Sequence, residues 1–279
     1  MTDRQTSDRQ RVWGIDFSGA IDAGKKIWVA GGVVVGGNLR IKQLRRGDSL
    51  PGSGGDCLRC IHALRNLVSS ERNAVFGFDF PFGLPGAIVG AATWDDFVRT
   101  FAERYPDALT FRRTCFSQAR GRELRRKTDR NASTPFAAYN LRIYRQTYVG
   151  VRDLLARLVA EGIASVLPMQ PPDGDRAWVI EICPASTLKA LGLYRALGQP
   201  YKGRSADARQ TREWILGRLE ADASLQIEDP VTREVAIVDH GGDALDSLIA
   251  ALATAWALPS LRCGLIADDV ARIEGHVYV

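Results

Sequence analysis

The chain has 279 residues, 46% hydrophobic and 25% charged, which fits a globular protein with a substantial core, in one large domain or two small ones. Five cysteines suggest no disulfide framework, and no apolar run approaches the roughly 20 residues of a bilayer span. The net charge of +5 is too modest to name a partner, so the distribution of charge carries more than its sum.

The N-terminus, MTDRQTSDRQR, is polar and lacks the apolar stretch of a signal peptide. A short disordered tail over residues 1–10 and a cytoplasmic protein are expected. Arg11 to Ala20, RVWGIDFSGA, then reads as a largely buried strand bounded by Gly19, with Asp16 inside it. A carboxylate buried there is costly unless cations or donors stand beside it. The plainer alternative is a turn cap near Ser18 and Gly19.

KIWVAGGVVVGG and LRIKQLRR follow, broken by Gly36-Gly37-Asn38, and predict a hairpin, so that Asp16 would begin a three-strand antiparallel meander. Gly19 to Lys25, GAIDAGK, matches most of a phosphate-binding loop. Lys26 stands where Ser or Thr is required, however, and a strand follows where a helix should. Cys57 and Cys60 form a CxxC in DCLRCIHALRNLV, without a second pair to complete a zinc site. Their spacing places them on one helix face, as packing residues.

NAVFGFDFPFGLP is a second apolar strand with a second central acid, Asp79, ended by Pro81 and Pro85. Twice, then, a strand delivers an aspartate near its carboxyl end, where open α/β sheets place their sites. Residues 86 to about 162 read as mainly helical: TWDDFVRTFAERY, with Thr93 as N-cap, and a periodic run from Phe136 to Glu161. Between them lies a basic, partly aromatic loop carrying Arg112, Arg113, Arg120, Arg122, Arg125, Arg126, Lys127 and Arg130. It suits phosphate-backbone contact with nucleic acid, or is simply a solvated loop.

Ile163 to Pro168 is a short strand, and RAWVIEICPAST is a longer one with Glu181 near its end and Pro184 opening a helix. Glu181 could equally face solvent. Residues 200–230 form a polar, helical insertion around TREWILGRLEA. Gly241-Gly242 precede an amphipathic helix whose first turn presents Asp243 and Asp246 on one face. The alternative is that Asp243 caps the helix and Asp246 complements its dipole. EGHVYV closes the chain as a last strand.

Asp16, Asp79, Glu181, Asp243 and Asp246, if convergent, cannot all stay ionised without cations. All-oxygen ligands favour Mg²⁺ or Mn²⁺, and two such ions about 4 Å apart would support phosphodiester hydrolysis.

The order GIDFSG, meander, GFDFPFG, EICPA and DALDSLIAALATA resembles the RNase H-like superfamily in its RuvC/YqgF-type branch. It is most similar to the predicted nucleases of domain-of-unknown-function family four-two-nine. The resemblance spans residue 12 to about 257. It implies an α/β fold: a mixed five-stranded sheet, an antiparallel meander then parallel strands, flanked by helices. Residues 11–279 would form one such domain with helical insertions at about 86–162 and 200–230. It also implies catalytic acids at Asp16, Asp79, Glu181, Asp243 and Asp246, of which Asp16, Asp79, Asp243 and Asp246 would hold Mg²⁺ or Mn²⁺, and DNA or RNA as partner. The second acid is often glutamate in RuvC-like resolvases, and Asp239 could compete with Asp243. Two alternatives stand beside the nuclease: a non-catalytic nucleic-acid or protein-binding module, and an actin/sugar-kinase-like ATPase. The ATPase needs a duplicated domain, and no repeat of residues 12–45 is found.

Overall fold

Two glycines in left-handed conformation, Gly36 at φ +58° and Gly37 at φ +84°, turn β2 (Trp28–Val35) back onto β3 (Asn38–Arg46), the geometry a two-residue hairpin turn demands. β2 also pairs antiparallel with β1 (Arg11–Asp16), so the expected meander is present. The computed structural model describes residues 10–264 and 268–279; the tail expected over residues 1–10 lies, but for Gln10, outside the described residues.

Beyond β1 the strands run parallel. β4 (Ala74–Phe78) pairs β1, and β6 (Ala177–Ile182) pairs β4. The order β3-β2-β1-β4-β6 is the expected five-stranded mixed sheet. Three short strands extend it to eight: β5 (Ala164–Val166) and β8 (Val277–Tyr278) along β6, and β7 (Leu225–Ile227) along β3. The segment expected as a polar helical insertion thus contains a strand as well.

The helices are α1 (Cys57–Ser70), α2 (Gly86–Val89), α3 (Trp94–Arg104), α4 (Ala108–Gln118), α5 (Lys127–Asn131) and α6 (Tyr144–Val149). A π-helical turn, Gly150–Leu155, joins α6 to α7 (Ala156–Ala160). Then come α8 (Pro184–Ala190), α9 (Ala206–Asp222), α10 (Pro230–Val238), α11 (Asp243–Arg262) and α12 (Asp269–Glu274). Thr93 caps α3 by accepting from the Asp96 N–H, as its position predicts. The run from Phe136 becomes helical only at Tyr144, because the Asn140 side chain takes the Arg142 N–H into a turn first.

The basic stretch is not a loop throughout. Asp107 caps α4 through the Leu109 and Thr110 N–H groups, and Phe111 and Cys115, one turn apart, are buried. Phe111 packs among Phe101, Tyr105 and Tyr148, so that aromatic belongs to the core rather than to a stacking surface.

Side-chain alternation divides the sheet between two cores. Trp13, Ile15, Phe76 and Phe78 face one side, with α1, α3 and α6; Val12, Val75, Trp178 and Ile180 face the other, with α9 and α11. α11 is long and apolar enough to cross a bilayer by length and composition, unlike what the sequence reading allowed, but 83% of its apolar window is buried against the sheet.

Candidate metal centre

Parity decides which acids meet. On β1 the residues facing α11 are Val12, Gly14 and Asp16; on β4 they are Val75, Gly77 and, one step past the strand, Asp79. The Asp79 N–H donates to the Ile15 carbonyl at 3.0 Å, extending the parallel ladder by one residue and placing Asp79 beside Asp16. The glycines let α11 close on the sheet. A Cβ at Gly14 would sit 2.0 Å from the Ala251 nitrogen, and one at Gly77 would sit 2.0 Å from Thr254 Oγ1.

That approach delivers the first turn of α11 to the strand ends. Gly242, at φ +73°, occupies the N-cap position, so Asp243 is not the cap. Asp239, the proposed competitor, accepts from the Ala244 N–H at 3.0 Å and serves as the turn's side-chain acceptor. Asp16, Asp243 and Asp246 each offer a carboxylate oxygen, all three within 4.8 Å of one another. Three hard oxygen donors so close form a donor set that fits Mg²⁺ or Mn²⁺.

The electrostatics follow from burial and like charge. Asp16, 8% exposed, is pushed well above the usual carboxylate range by burial and by Asp246, Asp243 and Asp79, against the opposing Lys202. Asp79 is pushed up to about 8, by burial and then by Asp246. Burial also raises Asp243. Cys183 lines the same cleft, but burial and then Asp79 push its thiol up to about 12, which removes it as a nucleophile near neutral pH.

Glu181 lines the same cleft but stands outside the cluster. Its register partner is Phe78, so its side chain points to the face opposite Asp16 and Asp79. There it accepts from Arg126 Nη1 at 2.8 Å, from Arg126 Nη2, and from the Phe82 N–H at 2.9 Å. Both oxygens are engaged, and Glu181 is not among the three clustered acids. Arg126, read from sequence as a phosphate contact, is 1% exposed and also bonds Asp129 at 2.6 Å. Burial opposes its charge, yet Glu181 and Asp129 hold its guanidinium above its ordinary value.

The other basic residues also stand away from the acids. Arg112 lies over the Phe116 ring, Arg125 donates to the Thr134 carbonyl at 2.9 Å, and Arg113, Arg120, Arg122 and Lys127 are exposed. None of these six lines the acidic cleft, a cavity of about 580 Å³. Its cations are Lys26, Arg142, Arg195 and Lys202, besides the buried Arg126. Arg142 lies 5.4 Å from the Phe136 ring centroid and Arg195 5.9 Å from that of Tyr194, and both rings line the cleft.

Lys202 and Tyr201 had no signature in the sequence. The Lys202 ammonium lies 2.6 Å from Asp246 Oδ2 and 3.3 Å from Asp243 Oδ1, and the Tyr201 hydroxyl donates to Asp246 Oδ1 at 2.8 Å. Burial works against the ammonium, but Asp246 and Asp16 hold it above its ordinary value.

Residues 14–269 match the family DUF429, described as a protein of unknown function. The chain belongs to DUF429. No curated protein matches this DUF429 chain. It is similar to the solved yeast mitochondrial Holliday junction resolvase Ydc2, at 12% identity and a TM-score of 0.40, over 94% of this chain and 84% of that one.

Proposed function

We propose that this DUF429 protein is a metal-dependent phosphodiester hydrolase acting on nucleic acid. The observation that carries the reading is the convergence of Asp16, Asp243 and Asp246 oxygens within 4.8 Å, on a cleft whose lining also carries Lys26, Arg142, Arg195, Phe136 and Tyr194. Asp16, Asp79, Asp243 and Asp246 would hold Mg²⁺ or Mn²⁺. The bound ion supplies Lewis-acid polarisation of a phosphoryl oxygen and activation of water.

The chain's own groups supply the rest. Asp79, one step past β4 and beside Asp16, would add its carboxylate to the ligands of the ion. Arg142, Arg195 and Lys26 line the approach and suit phosphate oxygens, while Phe136 and Tyr194 offer ring faces for bases.

The test is cleavage of end-labelled DNA and RNA, single-stranded, duplex and branched, with Mg²⁺ or Mn²⁺. Asp16→Asn and Asp246→Asn should each slow cleavage on the order of a hundredfold or more, about 3 kcal/mol of barrier. A parent protein inactive on every substrate sinks the reading. The second reading, a binding module on the same fold, is favoured by Lys202, whose ammonium already offsets part of the acidic charge.

A further inference from the structure

The cationic end of the cleft is built into the chain. Lys202 Nζ contacts Asp246 Oδ2 at 2.6 Å and Asp243 Oδ1 at 3.3 Å, and the Tyr201 hydroxyl takes Asp246 Oδ1 at 2.8 Å. Both oxygens of Asp246 are therefore engaged by donors of adjacent residues. These contacts fall on two of the three clustered acids.

The peptide bearing Lys202 is fastened on both sides. Arg212, 1% exposed, donates from Nη1 to the Tyr201 carbonyl at 2.6 Å and to the Gly203 carbonyl at 3.1 Å, and from Nε to the Ile237 carbonyl at 2.6 Å. The Gly203 N–H donates to the His240 carbonyl at 2.8 Å. A Cβ at Gly242 would lie 3.1 Å from the Tyr201 ring, so the ring lies directly over the turn that presents Asp243. The lysine side chain is nonetheless 48% exposed, within reach of a substrate in the cleft.

We propose that Lys202 takes the place of one of the two divalent ions of a two-metal centre. The acidic cluster then holds a single Mg²⁺ or Mn²⁺, and Lys202 presents the second positive charge to a substrate phosphate oxygen. The inference rests on the phosphodiester-hydrolase reading. A second divalent ion at the helix acids would have to strip Asp246 of both its donors. It would also leave a tethered ammonium beside a doubly charged cation, and like charges so close repel strongly in a partly dry cleft.

Lysine suits this task as a compact point charge with three donors. Here two donors face carboxylates and the third remains for an incoming oxygen. Mn²⁺ titration of the full chain, followed by calorimetry and electron paramagnetic resonance, tests the assignment without reference to turnover. The parent should take one Mn²⁺ with no manganese–manganese coupling. Lys202→Met, which keeps the stem and removes the charge, should take two, with a coupled spectrum. Lys202→Arg should keep one, and it stands in should Lys202→Met fail to fold.

A parent that binds two coupled ions overturns the proposal, as does Lys202→Met that still binds one. A parent that binds one ion but cleaves nothing sinks the hydrolase reading and leaves the charge replacement standing. A parent that binds two and cleaves does the reverse.

Discussion

Arg126 and Glu181 form a buried, two-point ion pair, with Nη1 2.8 Å from Oε2 and both residues under 4% exposed. The pair fastens α5 to β6, and the same guanidinium donates to the Glu274 carbonyl of α12 at 2.8 Å. One contact thus occupies both oxygens of a cleft carboxylate and withdraws an arginine from the basic surface.

Arg126→Met should be strongly destabilising, by about 3–5 kcal/mol in urea unfolding, because Glu181 is left buried without its partner. Glu181→Gln should leave the Mn²⁺-induced rise in melting temperature intact. Loss of that rise in Glu181→Gln would return Glu181 to the metal centre.

Asp16→Asn should behave in the opposite way. The metal-free protein should be as stable as the parent or more so, because one buried like charge is gone. The rise in melting temperature with Mg²⁺ or Mn²⁺, worth about 2.7 kcal/mol at a hundredfold excess over Kd, should largely vanish. An unchanged metal response removes Asp16 from the ligand set.

Stability of the metal-free protein should fall with rising pH. Asp79 is held at about 8, whereas an unfolded aspartate titrates near ~4. Between those values the native state keeps a proton that the unfolded chain releases, so the stabilisation present below ~4 is lost as pH rises through the native value. Asp16, shifted the same way, adds to the slope. Each such proton contributes up to about 1.4 kcal/mol per pH unit, and Asp79→Asn should flatten melting temperature against pH accordingly. Mn²⁺ affinity should climb across the same window, because binding releases the proton. A slope identical in Asp79→Asn and parent would contradict this.

Gly14→Ala should loosen the centre from a distance. The added Cβ would meet the Ala251 nitrogen at 2.0 Å, with backbone rather than a flexible side chain in the way. Overpacking of this kind costs about 1–3 kcal/mol or more, and α11 must shift from β1 with Asp243 and Asp246 at its end. Weaker Mn²⁺ binding together with a lower melting temperature is expected; lower stability with unaltered Mn²⁺ affinity would show that the centre tolerates the shift.

Arg142 and Arg195 should govern nucleic-acid affinity rather than the α4–α5 stretch. Arg142→Ala with Arg195→Ala should weaken oligonucleotide binding and flatten its salt dependence by roughly one unit of slope per lost phosphate contact. Arg113→Ala with Arg122→Ala, outside the cleft, should change either quantity little. Fluorescence anisotropy over a salt series separates the two, and the reverse ranking would place the substrate on α4.

Much of the frame was legible in the residues alone. Short apolar runs bounded by turn residues marked β1, β4 and β6, Gly36-Gly37 marked the hairpin, and the spacing of Asp243 and Asp246 put both on one helix face. Each of these is a local property, set within a few residues by pleat, turn geometry or helical pitch. Choosing among the acids required pairings across the chain. Register with Phe78 turned Glu181 to the far face, where Arg126, 55 positions away, claimed it. The basic stretch lost its uniform role because α4 buries Phe111 and α5 delivers Arg126 inward. Lys202 and Tyr201, in a segment with no periodicity of their own, reached Asp246 only because Arg212 and His240 pin that turn against α11. A carboxylate's charge is settled by whichever donor stands within about 3 Å of it, and that neighbour is chosen by the packing of distant elements.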